Sequence, residues 1–285
     1  MFETNLGQVL QRWKQAFGQY KELSNAAEAA VVRREWTGGE RYSLLPFYFN
    51  RFSGRARLLK EPPTSECYYI RYGFDEQNRP RLHRFYDSLD LNGRSNLKKN
   101  HLHDFIRNDL SETFYIYKED LVEIIEFSIP PRIPLKVQQI FYMNEHVVRH
   151  ASIRLNGYTP LYSKKGKNPD ALYDWLGPNG RFKQFERYVY DGKLLNHIQF
   201  YSEVPGIPPY SGEERFTYEE DGILLQIERF CEDGNRQLVY RKRKKGQTFQ
   251  SIREVATHKL VKAIIERIRA ENVKEKMCLM ELSYI

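Results

Sequence analysis

Histidines and acids are where chemistry would first be sought in this chain, and His101-x-His103-Asp104 is where metal-ligand types crowd together. An H-x-H pair puts both imidazoles on one side only in an extended strand; on a helix they diverge by about 200°. No later His pair or acidic pair is spaced to complete a coordination sphere, so an exposed helix start accounts for the cluster. A magnesium-dependent nuclease would want an acid followed on the next strand by Asp/Glu-x-Lys, and Asp174 with Asp191-Gly192-Lys193 comes nearest. Asp191-Gly192 reads more simply as a hairpin turn, a poor place to preorganise a catalytic pair. Glycine-rich phosphate loops and the G-x-S-x-G nucleophile elbow are absent from the sequence. Cys67, Cys231 and Cys278 are odd in number, widely spaced and without a C-x-x-C pair, so neither a zinc ribbon nor a disulfide framework is readable. No cofactor, metal or catalytic residue is therefore expected, and the reading leans away from an enzyme.

What remains is a basic signal. The chain of 285 residues has Lys and Arg in excess, 45 to 37, for a net charge of +8. Five cations run together at Arg241-Lys242-Arg243-Lys244-Lys245, beside Tyr240, where they could contact phosphates. An exposed strand end guarded by Lys and Arg explains the same run. Lys164, Lys165 and Lys167 form a second, shorter patch.

The elements that would carry these groups follow from periodicity. Phe2, Leu6, Val9, Leu10, Trp13, Phe17 and Tyr20 fall on one side of a 3.6-residue repeat, which predicts an amphipathic helix. It docks on its own core or on a partner, through Phe2, Leu6, Leu10, Trp13 and Phe17. From about Leu44 the period shortens to aromatic and β-branched runs broken by Gly, Asn, Asp and Pro. Twenty Tyr, 17 Phe and 3 Trp suit such half-buried pleated surfaces. These features predict an α+β fold: a large twisted antiparallel sheet of successive β-hairpins, one face covered and the other wet, with an amphipathic helix at each end. The divisions are 1–43 (helical segment), 44–250 (hairpin domain with long loops at 87–110 and 155–182) and 251–285. In the last, Ser251-x-x-Glu254 is a capping box for a helix, and the apolar run 277–282 is a strand that could begin a further domain. No stretch is apolar enough to span a bilayer and the N-terminus is not a secretory signal, so no membrane partner and a cytoplasmic location are expected.

Two tracts, Tyr190-Asp191-Gly192-x-Leu194 and Tyr218-x-x-Asp221-Gly222-x-Leu224, resemble the aromatic-turn-Gly-Leu hairpins of YD-repeat and MORN-like proteins. Some bacterial toxin-immunity proteins are built from comparable hairpin sheets. The resemblance implies recognition rather than catalysis: a protein-interaction module, immunity- or defence-related, working through the sheet face or terminal helices, with self-association through the helices as one form. The alternative is a nucleic-acid-binding accessory protein using residues 240–245.

Overall fold

The computed structural model describes residues 2–52, 54–61, 68–87, 110–129, 132–155, 181–204, 206–243, 246 and 249–270. The chain divides into two compact units, Met1–Arg241 and Lys242–Ile285.

The first unit opens with two helices, α1 (Phe2–Ala16) and α2 (Tyr20–Ala30). The periodic stripe that predicts one helix through Tyr20 is interrupted at Gly18, whose φ of +81° makes the break between them. Thirteen strands follow: β1 (Arg33–Thr37), β2 (Leu58–Leu59), β3 (Tyr68–Phe74), β4 (Pro80–Asp87), β5 (Leu110–Tyr117), β6 (Leu121–Ile129), β7 (Pro134–Met143), β8 (His146–Leu155), β9 (Arg181–Asp191), β10 (Leu194–Glu203), β11 (Tyr210–Tyr218), β12 (Leu224–Cys231) and β13 (Arg236–Arg241). A one-turn helix, α3 (Tyr48–Arg51), lies between β1 and β2. All the strands join one antiparallel sheet in the order β13 to β3, then β1 and β2. Each strand from β4 onward pairs with its sequence neighbours, as a chain of hairpins must.

Both faces of this sheet are covered from β4 to β9, while beyond β9 one face is wet as expected, with Arg215 and Thr217 of β11 exposed. On the first, Val9 and Trp13 of α1 are fully buried against Val137, Ala151, Ile153 and Phe185, and Trp13 Nε1 donates to the Pro134 carbonyl at 2.8 Å. Tyr20 of α2 sets its ring edge on Phe114 and Phe127. On the second face, residues 38–57 leave β1 and return to β2 as a strap. Its ends are tied by Gly38 N–H to Arg57 O at 3.1 Å and Ala56 N–H to Glu40 O at 2.9 Å. Tyr42 packs on Tyr72 and Phe74 of β3, while Phe47 reaches Phe216 of β11.

That reach requires a curved sheet. Laid flat, β2 and β13 would be about 58 Å apart at ~4.8 Å per strand. The seven residues from Arg51 back to Leu58 span at most about 25 Å, yet α3, which ends at Arg51, lies against β13. The strap therefore lies in a concave face, with Tyr115, Ile140, Tyr188, Ile198, Phe216 and Ile227 as its core.

In the second unit a helix, α4 (Phe249–Ala270), starts two residues before the Ser251 position that the capping box marks. Leu260, Val261 and Ile265 stand 41–49% exposed on it. The apolar run 277–282 lies outside the described residues, as do most of the long loops at 87–110 and 155–182.

Candidate functional site

Because consecutive strands are antiparallel neighbours, every turn from an odd to an even strand after β3 falls on one rim of the sheet. The strand leading into four of these turns ends in a tyrosine or in a residue next to one: Tyr117, Tyr142, Tyr190 and Tyr218; Tyr240 occupies the same place on β13. All five pack on the concave core. Strands two apart place successive rings about 9.6 Å from one another. Three hydroxyls reach back to the preceding hairpin: Tyr117 donates to Pro80 O (3.0 Å), Tyr190 to Val147 O (3.1 Å) and Tyr218 to Leu195 O (2.8 Å). Burial pushes the hydroxyls of Tyr142, Tyr190 and Tyr218 up to about 12, so they remain protonated donors at neutral pH. The recurring tyrosine is thus a latch between hairpins, which is where part of the aromatic excess goes.

Tyr142, Tyr190 and Tyr218 also line a pocket of about 450 Å³ between three turns and the strap residues Leu44 to Phe47. Glu145, His146 and Lys193 complete it, with His146 packed on Tyr190 at 4.6 Å between ring centroids. Two of its wall residues hold a left-handed backbone, Phe47 at φ 53° and Glu145 at φ 67°. Such residues each cost about 1–3 kcal/mol and persist where surroundings fix them. Phe47 is fixed by ring contacts to Phe216 and Tyr218 at 5.4 and 6.3 Å. On the surrounding turns Met143, Leu194 and Ile223 are 63%, 42% and 48% exposed. Tyrosine walls next to exposed apolar side chains have the make-up of a protein-contact hot spot.

The strap wall is clamped from below. Arg51, fully buried, donates Nε to Glu214 and Nη2 to Glu186, both at 2.5 Å. Arg229 adds a second cation to Glu214 at 2.5 Å, and His150 meets Glu186 at 3.2 Å. Burial alone would raise the Glu186 pKa, but Arg51 and His150 hold it far below the usual carboxylate range. Elsewhere on the concave face, burial lowers Lys136 and brings His83 down to about 4. A second, polar groove of about 520 Å³ lies between α1, α2 and β5–β7, lined by Gln8, Gln11, Gln15 and Gln19. Of its two carboxylates, Glu22 and Glu123, the second is already engaged by Arg12, Lys118 and Gln139 at 3.1–3.2 Å.

Of the residues marked for polyanion contact, Arg241 ends β13 exposed and Arg243 is exposed after it, while Tyr240 is half-buried in the concave core. Lys242 is half-buried; Lys244, Lys245, Lys164, Lys165 and Lys167 lie outside the described residues. Of the partner-helix residues, Leu6 and Trp13 are buried and Leu10 and Phe17 pack against the same core, so the sheet covers their stripe. Phe2 opens α1, and its side chain is outside the described set. His101, His103 and Asp174 also fall outside it, and Asp191 pairs with Leu194 across a Gly192–Lys193 turn. Among the described residues no three of His, Cys, Asp or Glu are grouped to hold a metal, and no helix is long and apolar enough to cross a membrane.

Comparison with protein families, curated proteins and solved structures finds no match for this chain.

Sequence reasoning missed the turn-rim pocket because its strap wall and its turns lie up to about 180 residues apart in the chain. One signal was present: the tyrosine at the end of alternate strands.

Proposed function

We propose that this chain works by binding another protein, as a non-catalytic interaction module of the immunity or defence type acting in a bacterial cytoplasm. The observation that carries the reading is the turn-rim pocket, where three tyrosines, a clamped strap and the exposed Met143, Leu194 and Ile223 meet. The YD-repeat-like and MORN-like hairpins of the sequence agree with a recognition role. Amphipathic helices at both ends belong to the same proposal as flanking elements, and self-association through them would require α1 to leave the sheet that covers its stripe.

A photo-reactive amino acid at Leu194 should give a discrete protein adduct in cells, and the same label at the exposed Arg187 should give none. Equal labelling from both positions, or no adduct from the rim, contradicts the reading. Nucleic-acid binding has the exposed Arg241 and Arg243 in its favour. It requires affinity for DNA or RNA that falls steeply with salt and is lost in Arg241→Glu/Arg243→Glu.

A further inference from the structure

The charge of the three turns around the pocket runs opposite to that of the chain, although Arg241 ends β13 on the same rim. The three turns around the pocket carry Glu145, Asp191, Glu219, Glu220 and Asp221, all exposed, against Lys193. This acidic edge belongs to a molecule with a net charge of +8. Much of the described arginine content is spent elsewhere: Arg51 and Arg229 on buried carboxylates, and Arg71, Arg79 and Arg149 over the rings of Tyr86, Tyr117 and Phe141. Among the described residues, Glu145, Asp191, Glu220 and Asp221 have no such arginine partner. Glu145 and Glu220 project from turns on either side of the β9–β10 hairpin, so they flank the pocket.

The tyrosines add a second preference. The hydroxyls of Tyr190 and Tyr218 donate to backbone carbonyls, so to an incoming cation these residues offer oxygen lone pairs and the ring surface that His146 and Phe47 leave uncovered. Ring faces attract guanidinium and ammonium groups, and Arg stacks on them best. The apolar components, Leu44, Leu45, Leu194 and Leu195, call for a hydrophobic side chain alongside those cations.

We propose that the turn rim receives a lysine- and arginine-rich protein segment that places one large apolar side chain in the pocket. The inference rests on the docking reading above and names the chemistry of its partner. Complementary charge would speed encounter and set register, while the apolar anchor would supply most of the holding energy.

Three fluorescent synthetic peptides test it against the full chain. One is Arg/Lys-rich around a Trp-Leu pair, one carries Glu in place of the cations, and one has Gly in place of the Trp-Leu pair. The first should bind at least 10-fold more tightly than either of the others at low salt. Its advantage over the acidic peptide should shrink toward 0.5 M salt, where exposed charges are screened. Glu145→Lys with Glu220→Lys should weaken it at least 10-fold, whereas Arg241→Glu with Arg243→Glu should not weaken it. Circular dichroism and the unfolding midpoint should be unchanged in both double variants. Equal binding of acidic and basic peptides, indifference to the Glu145/Glu220 reversal, or no binding of any peptide at millimolar concentration overturns the inference. A rim adduct at Leu194 with a partner whose contacting surface is acidic would overturn it too, while leaving the docking reading intact.

Discussion

Replacing Arg51 by methionine removes the cation that fastens the strap to the sheet while keeping a long side chain in its place. Both partners are as buried as the arginine, each side chain about 1% exposed, so solvent screening does not discount the loss. Removing one member of a buried pair costs about 3–5 kcal/mol, because the other charge stays behind unpaired. Glu214 retains Arg229 and Glu186 retains His150, which places the expectation near the lower end, about 3 kcal/mol. At about 2–4 °C per kcal/mol for a unit of this size, the unfolding midpoint should fall by about 6–12 °C. The pH dependence sharpens the test. Glu186 has a depressed folded-state pKa, so its contribution is complete above the unfolded glutamate value of about 4.3 and is lost as pH falls below it. In Arg51→Met burial dominates and raises that pKa, so the variant loses stability as pH rises. The gap between wild type and variant should therefore be widest at pH 7 and narrow toward pH 4. Urea unfolding followed by tryptophan fluorescence at both pH values measures it. A loss below about 1 kcal/mol at pH 7, or a gap that does not change with pH, would refute the clamp.

Three further substitutions probe the elements that hold the site. Trp13→Ala, which empties a fully buried position and orphans the Pro134 carbonyl, should cost about 3–5 kcal/mol in urea unfolding, placing α1 in the core rather than on a partner. Gly212→Ala would drive a methyl group into the Phe230 carbonyl oxygen, so β11 and β12 must separate, and the variant should unfold well below wild type in a thermal scan. Tyr218→Phe deletes only the latch to Leu195 and should cost about 0.5–1.5 kcal/mol with an unchanged circular dichroism spectrum.

The sheet was legible because its signals are local. Alternating apolar positions and Asp-Gly turns repeat within each hairpin, so β9 to β13 can be read from residues 181–241 alone. Even there the register shifted by one: with Asp191 paired to Leu194, glycine takes the first turn position, at φ 58°, instead of the second. The Asn144–Glu145 turn is tight without any glycine, at φ 49° and 67°, and is legible only as a looser hairpin, with Asn144 between the aromatic run at 141–142 and the apolar run from Val147. The strap was illegible for a different reason. Residues 38–57 have no period, since their side chains answer to partners more than 100 residues away, Glu186 and Glu214 for Arg51 and Phe216 for Phe47. The basic excess misled in the same way, because a composition cannot show that arginines are paired inside while carboxylates gather on one rim.

The central claim is that the turn-rim pocket is the binding surface, and the affinity of the protein cross-linked at Leu194 for the Leu194→Asp/Ile223→Asp variant tests it most directly. Both side chains are exposed, so the substitutions should leave the unfolding free energy within about 0.5 kcal/mol of wild type. Losing a hot-spot contact of about 2 kcal/mol corresponds to roughly a 30-fold higher Kd by titration calorimetry. An affinity within 2-fold of wild type, with the fold intact, would contradict the account.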